Sequence, residues 1–193
     1  MQLYQTLLAK LARALDGAGI SYMIIGGQAV LLHGEPRLTR DIDVTLDCDT
    51  SELARILAVT GAADLHPAVG EIEPFVRKTN VLPVTDRTTG IRVDLIFSFT
   101  PYEKVAIRRS IAVRLGDTSI HFASIEDLII HKLVAGRPRD LEDVRGVLGR
   151  RPVVDEEYLT AWLSSFRDVV HRDLVSEYLE LKTEPSDEEH NSR

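Results

Sequence analysis

Residues 22–46 read YMIIGGQAVLLHGEPRLTRDIDVTL. The stretch opens in a short apolar strand, Ser21 to Ile25, and runs into Gly26-Gly27. A short helix, Gln28 to His33, follows and is stopped by Gly34 and Pro36. Asp41 to Leu46 then alternates polar and apolar residues with the period of a half-buried strand. In a strand, alternate residues share a face. Asp41 and Asp43 therefore project to one side while Ile42 and Val44 enter the core. Carboxylates two residues apart on a strand are about 6.5 Å from each other along the backbone. At an effective dielectric of about 20 their repulsion is on the order of 2.5 kcal/mol. A strand anchored in a core cannot splay them, so a cation belongs between them, and divalent metals suit carboxylate oxygens. The alternative for the pair taken alone is a solvated polar face near a sheet edge.

The residues upstream shift that balance. Glycines at a strand-to-helix junction let a backbone approach a ligand closely. The N–H groups at a helix start attract phosphate. Gly26 and Gly27 are placed for both, although a tight turn alone also explains two glycines. Arg37 offers a guanidinium that pairs with phosphate oxygens, and Thr39 offers a hydroxyl donor. A phosphate cradle followed by a carboxylate pair is what a metal–nucleotide site needs.

This run resembles the signature of the DNA polymerase β-type nucleotidyltransferase superfamily: a hydrophobic residue, Gly-Gly or Gly-Ser, a spacer, then Asp-hydrophobic-Asp-hydrophobic. Gly-Gly with Arg-x-Thr before the aspartates is closest to the abortive-infection toxin-type (AbiEii-like) minimal nucleotidyltransferases, which commonly carry Ser where this chain has Thr39. The resemblance implies a third carboxylate on a neighbouring strand. Asp94, a lone acid in the apolar run Ile91 to Phe97, fits it, because an unpaired acid in such a run is costly. A salt bridge to Arg92 or Arg108 is the alternative reading of Asp94, and Asp86 is the fallback acid.

A second segment is similar to the same toxin-type enzymes: Ser124-Ile125-Glu126-Asp127-Leu128 through Lys132-Leu133, then Arg137-Pro138-Arg139-Asp140 and Asp143. Lys132 falls on the apolar stripe of Ile125, Leu128 and Ile129, so it either snorkels to solvent or points into a polar cleft. The resemblance implies the cleft and a triphosphate contact for Lys132, and a site role for Asp140. Asp140 and Asp143 also read as helix-capping residues, and Asp127 reads as a cap.

The rest of the chain sets limits. Its 193 residues, 44% hydrophobic, suit one domain with a small appendage and a real core. A net charge of -7 gives no support to tight, sequence-blind nucleic-acid binding. The single cysteine, Cys48, excludes an internal disulfide. Neither a signal-peptide core nor a membrane-length apolar run is visible, so the expected location is the cytoplasm.

Further elements read as an amphipathic helix over Leu3–Leu15, a helix capped by Thr50 or Ser51 and ending near Gly61, strands over Phe75–Val84 and Ile91–Phe97, and a hairpin around Gly116-Asp117. Helices follow over Ile125–Ala135 and from Asp140 to near Gly149, and Asp155–Phe166 with Asp168–Leu181 form one or two more. The expected fold is α+β: a polymerase β-like nucleotidyltransferase core with a mixed sheet flanked by helices over 1–123, a helical part packed on it over 124–182, and a disordered acidic tail over 183–193.

The resemblance implies transfer of a nucleoside monophosphate from an NTP, with Mg2+ or Mn2+ held by Asp41, Asp43 and Asp94. It implies Gly26, Gly27, Arg37, Thr39, Lys132 and Asp140 as nucleotide-binding residues. The acceptor it implies is a hydroxyl on a tRNA 3′ end, a protein or a small molecule, with a cognate antitoxin protein as partner. A catalytically inactive nucleotide-binding regulator of the same fold is the alternative function, and a purely structural module leaves the three aspartates unexplained.

Overall fold

The computed structural model describes residues 2–34, 39 and 41–183. The elements run α1 (Gln2–Gly17), β1 (Tyr22–Ile25), α2 (Gly26–His33), β2 (Asp41–Leu46), a single 3-10 turn (Thr50–Glu52), α3 (Leu53–Ala62), β3 (Leu65–Pro67), α4 (Ile72–Thr79), β4 (Val81–Asp86) and β5 (Arg92–Phe97). They continue through α5 (Pro101–Arg108), β6 (Ile111–Leu115), β7 (Thr118–Phe122), α6 (Ile125–Ala135), α7 (Pro138–Gly149), α8 (Glu156–Val170) and α9 (Leu174–Thr183). The chain folds as two compact units, Met1–Gln28 with Leu38–Ser124, and Ala29–Arg37 with Ile125–Arg193. The division falls inside α2. Of the tail expected over 183–193, residues 184–193 lie outside the described residues.

The first unit holds a sheet of seven strands among the described residues, in the order β3-β4-β5-β2-β1-β7-β6. β2 and β5 run parallel, as do β1 and β7, while β1–β2, β3–β4, β4–β5 and β6–β7 are antiparallel. This is the mixed α+β sheet that the sequence leads one to expect. Its central strands β2 and β5 bury one face. Ile42, Val44, Leu46, Val93, Leu95 and Phe97 are fully buried on one face. Each such side chain removed from water stabilises the fold by about 1.5–3 kcal/mol before entropy is counted. Leu7, Leu8, Leu11 and Leu15 form the buried stripe of α1, while Leu3 stays exposed at its start.

Three elements depart from the sequence reading, the first being the short strand β3, which has no counterpart in it. Phe75–Thr79, expected as the first half of a strand, is the end of α4. Ile72, Phe75 and Val76 keep helical spacing, but the helix is only eight residues long and leads directly into β4, so Phe75 and Val76 read as the start of that strand. The helix is held locally. Arg77 reaches Glu73 at 2.7 Å one turn away, and Asn80 closes the helix in the left-handed region at φ 55°. α5 has no counterpart in the sequence reading, yet Thr100-Pro101-Tyr102-Glu103 carries its start: Thr100 and Glu103 form a reciprocal capping box and Pro101 occupies the first turn.

The second unit is helical, with α6 packed against α7, α8 and α9. Polar side chains tie these helices together. The Tyr158 hydroxyl donates to Asp127 at 2.7 Å, the Asp155 N–H to Glu126 at 2.9 Å, and the Tyr178 hydroxyl to Glu156 at 2.9 Å. Among the described residues no helix is long and apolar enough to cross a membrane.

Candidate active site

β2 begins at Asp41, and its burial alternates as its sequence does: Asp41 exposed, Ile42 buried, Asp43 half-buried, Val44 buried. The register then brings the third acid in. β5 lies parallel to β2 with Asp43 opposite Asp94 and Asp41 opposite Arg92. Residues directly opposite on neighbouring strands point to the same side of a sheet. Asp41, Asp43 and Asp94 therefore share one face, and Arg92 shares it with them.

On the other side of β2 runs β1, with Ile25 opposite Asp43. The next residue is Gly26, at φ +61°, where α2 begins. A Cβ on Gly26 would lie 1.9 Å from Asp43 Oδ2. Glycine is thus required twice here, by the left-handed backbone and by the carboxylate lying against it. Gly27 is buried in the first turn of α2. Nearby, the Gln28 side-chain amide donates to the Thr39 hydroxyl at 2.7 Å, and the Tyr4 hydroxyl donates to the Thr39 carbonyl at 2.8 Å. Thr39 is thus anchored through its carbonyl and its hydroxyl oxygen, both as acceptors. Arg37 lies outside the described residues.

Arg92 occupies the carboxylate face directly. Its Nε donates to Asp94 Oδ1 at 2.8 Å. The hydrogen bond to Asp94 is the largest influence raising the Arg92 pKa, with further attraction from Asp94, Asp41 and Asp43. Three carboxylates of hard oxygen donors match what Mg2+ or Mn2+ takes, and the missing Cβ at Gly26 leaves room for one of them. Among the described residues, however, no group of three or more His, Cys, Asp or Glu side chains is drawn together closely enough to hold an ion. In this conformation Arg92 is the cation that holds Asp94.

Asp86, the fallback acid, is committed elsewhere. It accepts from the Thr89 hydroxyl at 2.6 Å, the Thr89 N–H at 2.9 Å and the Lys10 ammonium at 3.3 Å. Burial opposes its ionisation, but those donors outweigh it and hold the carboxyl below the usual aspartate value.

In the second unit, Lys132 is buried and does not snorkel. Its ammonium lies 2.8 Å from both Asp140 Oδ1 and Asp143 Oδ2. Asp140 also meets Arg137 Nε at 2.6 Å and accepts from the Arg137 N–H at 3.3 Å at the start of α7. Burial pushes the Asp140 pKa up, and the Arg137 and Lys132 donors push it down further, so that it lies below the ordinary value. Two of the three ammonium N–H donors of Lys132 face these aspartates, so a phosphate contact would fall to the third. The sequence reading names Lys132 and Asp140 separately; their direct pairing is visible only in the fold. Gln28 and Tyr4, which fix Thr39, carry no signal in the sequence beyond their polarity.

Residues 9–191 match the family model described as nucleotidyl transferase AbiEii toxin, type IV toxin–antitoxin system. The chain is similar to an antigenic nucleotidyltransferase-like protein from Paracoccidioides brasiliensis, with 19% identity, TM-score 0.54, and coverage of 97% of this chain and 96% of that one. It is also similar to the antibiotic-resistance factor ANT(2'')-Ia in solution, with 15% identity, TM-score 0.58, and coverage of 88% of this chain and 94% of that one. The crystal structure of that factor in complex with adenylyl-2''-tobramycin aligns at 15% identity and TM-score 0.58, covering 86% of this chain and 98% of the other. At these identities the likeness is one of fold. No curated protein matches the chain.

Proposed function

The chain belongs to the nucleotidyl transferase AbiEii toxin family, and we propose that it transfers a nucleoside monophosphate from an NTP to an acceptor hydroxyl on the carboxylate face of Asp41, Asp43 and Asp94. The observation that carries this reading is the register that sets Asp43 beside Asp94, with Gly26 stripped of a Cβ against the Asp43 carboxylate.

In the reaction, the acceptor oxygen forms a bond to the α-phosphorus. The bond from that phosphorus to the β-phosphate bridging oxygen breaks, pyrophosphate leaves, and the hydroxyl proton passes to solvent. Mg2+ or Mn2+ bound by Asp41, Asp43 and Asp94 would neutralise phosphate oxygens and lower the pKa of the acceptor hydroxyl. The N–H groups at Gly26-Gly27 receive the triphosphate at the start of α2. The Thr39 hydroxyl, steadied by Gln28, donates to a phosphate oxygen, and Arg37 pairs with another. Lys132 and Asp140 contribute through the buried network that ties α6 to α7, and a triphosphate contact for Lys132 is secondary to it.

We place the acceptor among tRNA 3′ ends, protein hydroxyls and small molecules, and the biological role as the toxin of a toxin–antitoxin pair in the cytoplasm. The antibiotic-resistance factor of similar fold is solved with an adenylylated small molecule, which keeps the last class in the test. Each NTP, labelled at the α-phosphate, is incubated with the protein, Mg2+ or Mn2+, and separate tRNA, protein and small-molecule fractions. Label entering one fraction identifies the acceptor. Label entering none, with growth unaffected by expression, contradicts the reading.

A further inference from the structure

Arg92 is a cation on the carboxylate face. Its guanidinium grips Asp94 at 2.8 Å, and its register partner across β2 is Asp41. We propose that Arg92 is the resting counter-ion of this face: it holds Asp94 where a divalent cation would otherwise draw on it, and it must release Asp94 before the metal binds. The inference rests on the metal-dependent reading given above.

Three observations support an exchangeable grip over a fixed structural bond. First, the pair is unequal in exposure. The Arg92 side chain is 54% exposed and that of Asp94 18%. Arg92 can swing into water without opening the core, and its released guanidinium is fully solvated. Second, the pair lies along one strand, two residues apart, so its hydrogen bond ties no second element. Third, Arg92 is held electrostatically by all the acids that the metal would use: the Asp94 hydrogen bond contributes most, and the Asp41 and Asp43 charges add to it. Whatever neutralises those acids also weakens the hold on Arg92. Metal arrival and guanidinium release are therefore coupled through the same three carboxylates.

The coupling has a size. A guanidinium that stays within about 6.5 Å of a dication, screened as in water, weakens its binding about tenfold. The test is Mn2+ binding without nucleotide, read from the electron paramagnetic resonance signal of the free ion, on wild type, Arg92→Gln, Arg92→Lys and Asp43→Asn. Thermal unfolding of each variant establishes that it is folded. The expected result is Mn2+ bound about tenfold more tightly by Arg92→Gln, near-wild-type affinity in Arg92→Lys, and loss of binding in Asp43→Asn. Equal or weaker binding by Arg92→Gln, with Asp43→Asn still defective, overturns the role of Arg92 and leaves the carboxylate site standing. No Mn2+ bound by wild type or Arg92→Gln removes the metal reading, and this inference falls with it.

Discussion

The aspartate–cation cluster on the sheet and the one in the helical unit are built oppositely. On the sheet, Asp41, Asp43 and Asp94 face Arg92, whose side chain is more than half exposed. In the helical unit, Asp140 and Asp143 close on Lys132, and all three side chains are at most 8% exposed. The chemistry is the same and the consequences differ. A buried pair resists separation, because removing one partner strands a charge away from water. A pair open to water is worth little to stability, and its carboxylates can exchange one cation for another. The difference separates a cluster that holds the fold from one that can bind and react.

The sharpest break in that comparison comes from single substitutions, one in each cluster. Asp43→Asn is expected to lower transfer about 10³-fold or more, since it removes a ligand for transition-state charge. Its unfolding midpoint in urea should stay near wild type, because one member of a crowded acidic face is neutralised. Lys132→Ala is expected to do the reverse first, costing about 3–5 kcal/mol of stability in the same urea titration by leaving Asp140 and Asp143 without their shared cation. Equal destabilisation by the two substitutions would erase the distinction.

Gly26→Ala sharpens the account of the open cluster. Strain at a positive φ costs on the order of 1–2 kcal/mol, and the new methyl group displaces the Asp43 carboxylate. A misplacement of that kind is expected to slow transfer about 10²-fold, measured as turnover in folded protein. The pH dependence tests the closed cluster. The Asp140 pKa is lowered in the fold, so its contribution is complete above the ordinary aspartate value of about 3.9 and is lost as pH falls through the lower folded value. Stability should therefore hold from neutral pH to about 5 and fall below about 4. Lys132→Ala should shrink that acid-side loss, as followed by thermal unfolding across pH. The smallest effect is at Cys48, whose thiol is pushed up to about 11 by burial and by Glu52. Its reaction with a thiol reagent at pH 7 should be slower than that of a free thiol.

The open cluster is largely legible in the sequence. Asp41–Leu46 alternates so regularly that its strand carries the expected bounds, and the two glycines flag the close approach that Gly26 makes. Asp94 stands out as an anomaly, a lone acid in an apolar run, with Arg92 among its possible partners. Pairing between β2 and β5 depends on long-range packing, which no local pattern encodes, so the in-register meeting of Asp43 and Asp94 emerges only in the fold. The closed cluster is legible in its residues but not in its bonding. Lys132 on an apolar stripe is unusual, yet both sequence readings of it leave it open to water or to a polar cleft. The capping pattern at α7 names Asp140 and Asp143 but places the helix start two residues late, because Asp140 bonds back to Arg137 instead of opening the helix. α4 escapes the sequence reading because it is only eight residues long and runs directly into β4, so its apolar positions Phe75 and Val76 join the strand pattern that follows.

The measurement that tests the central claim most directly is pyrophosphate release from each NTP with Mg2+ or Mn2+, wild type beside Asp43→Asn, in the presence of total tRNA and cell lysate. Release by wild type that drops about 10³-fold in folded Asp43→Asn is the predicted result. Release that persists unchanged in Asp43→Asn would place the chemistry away from this face and contradict the account.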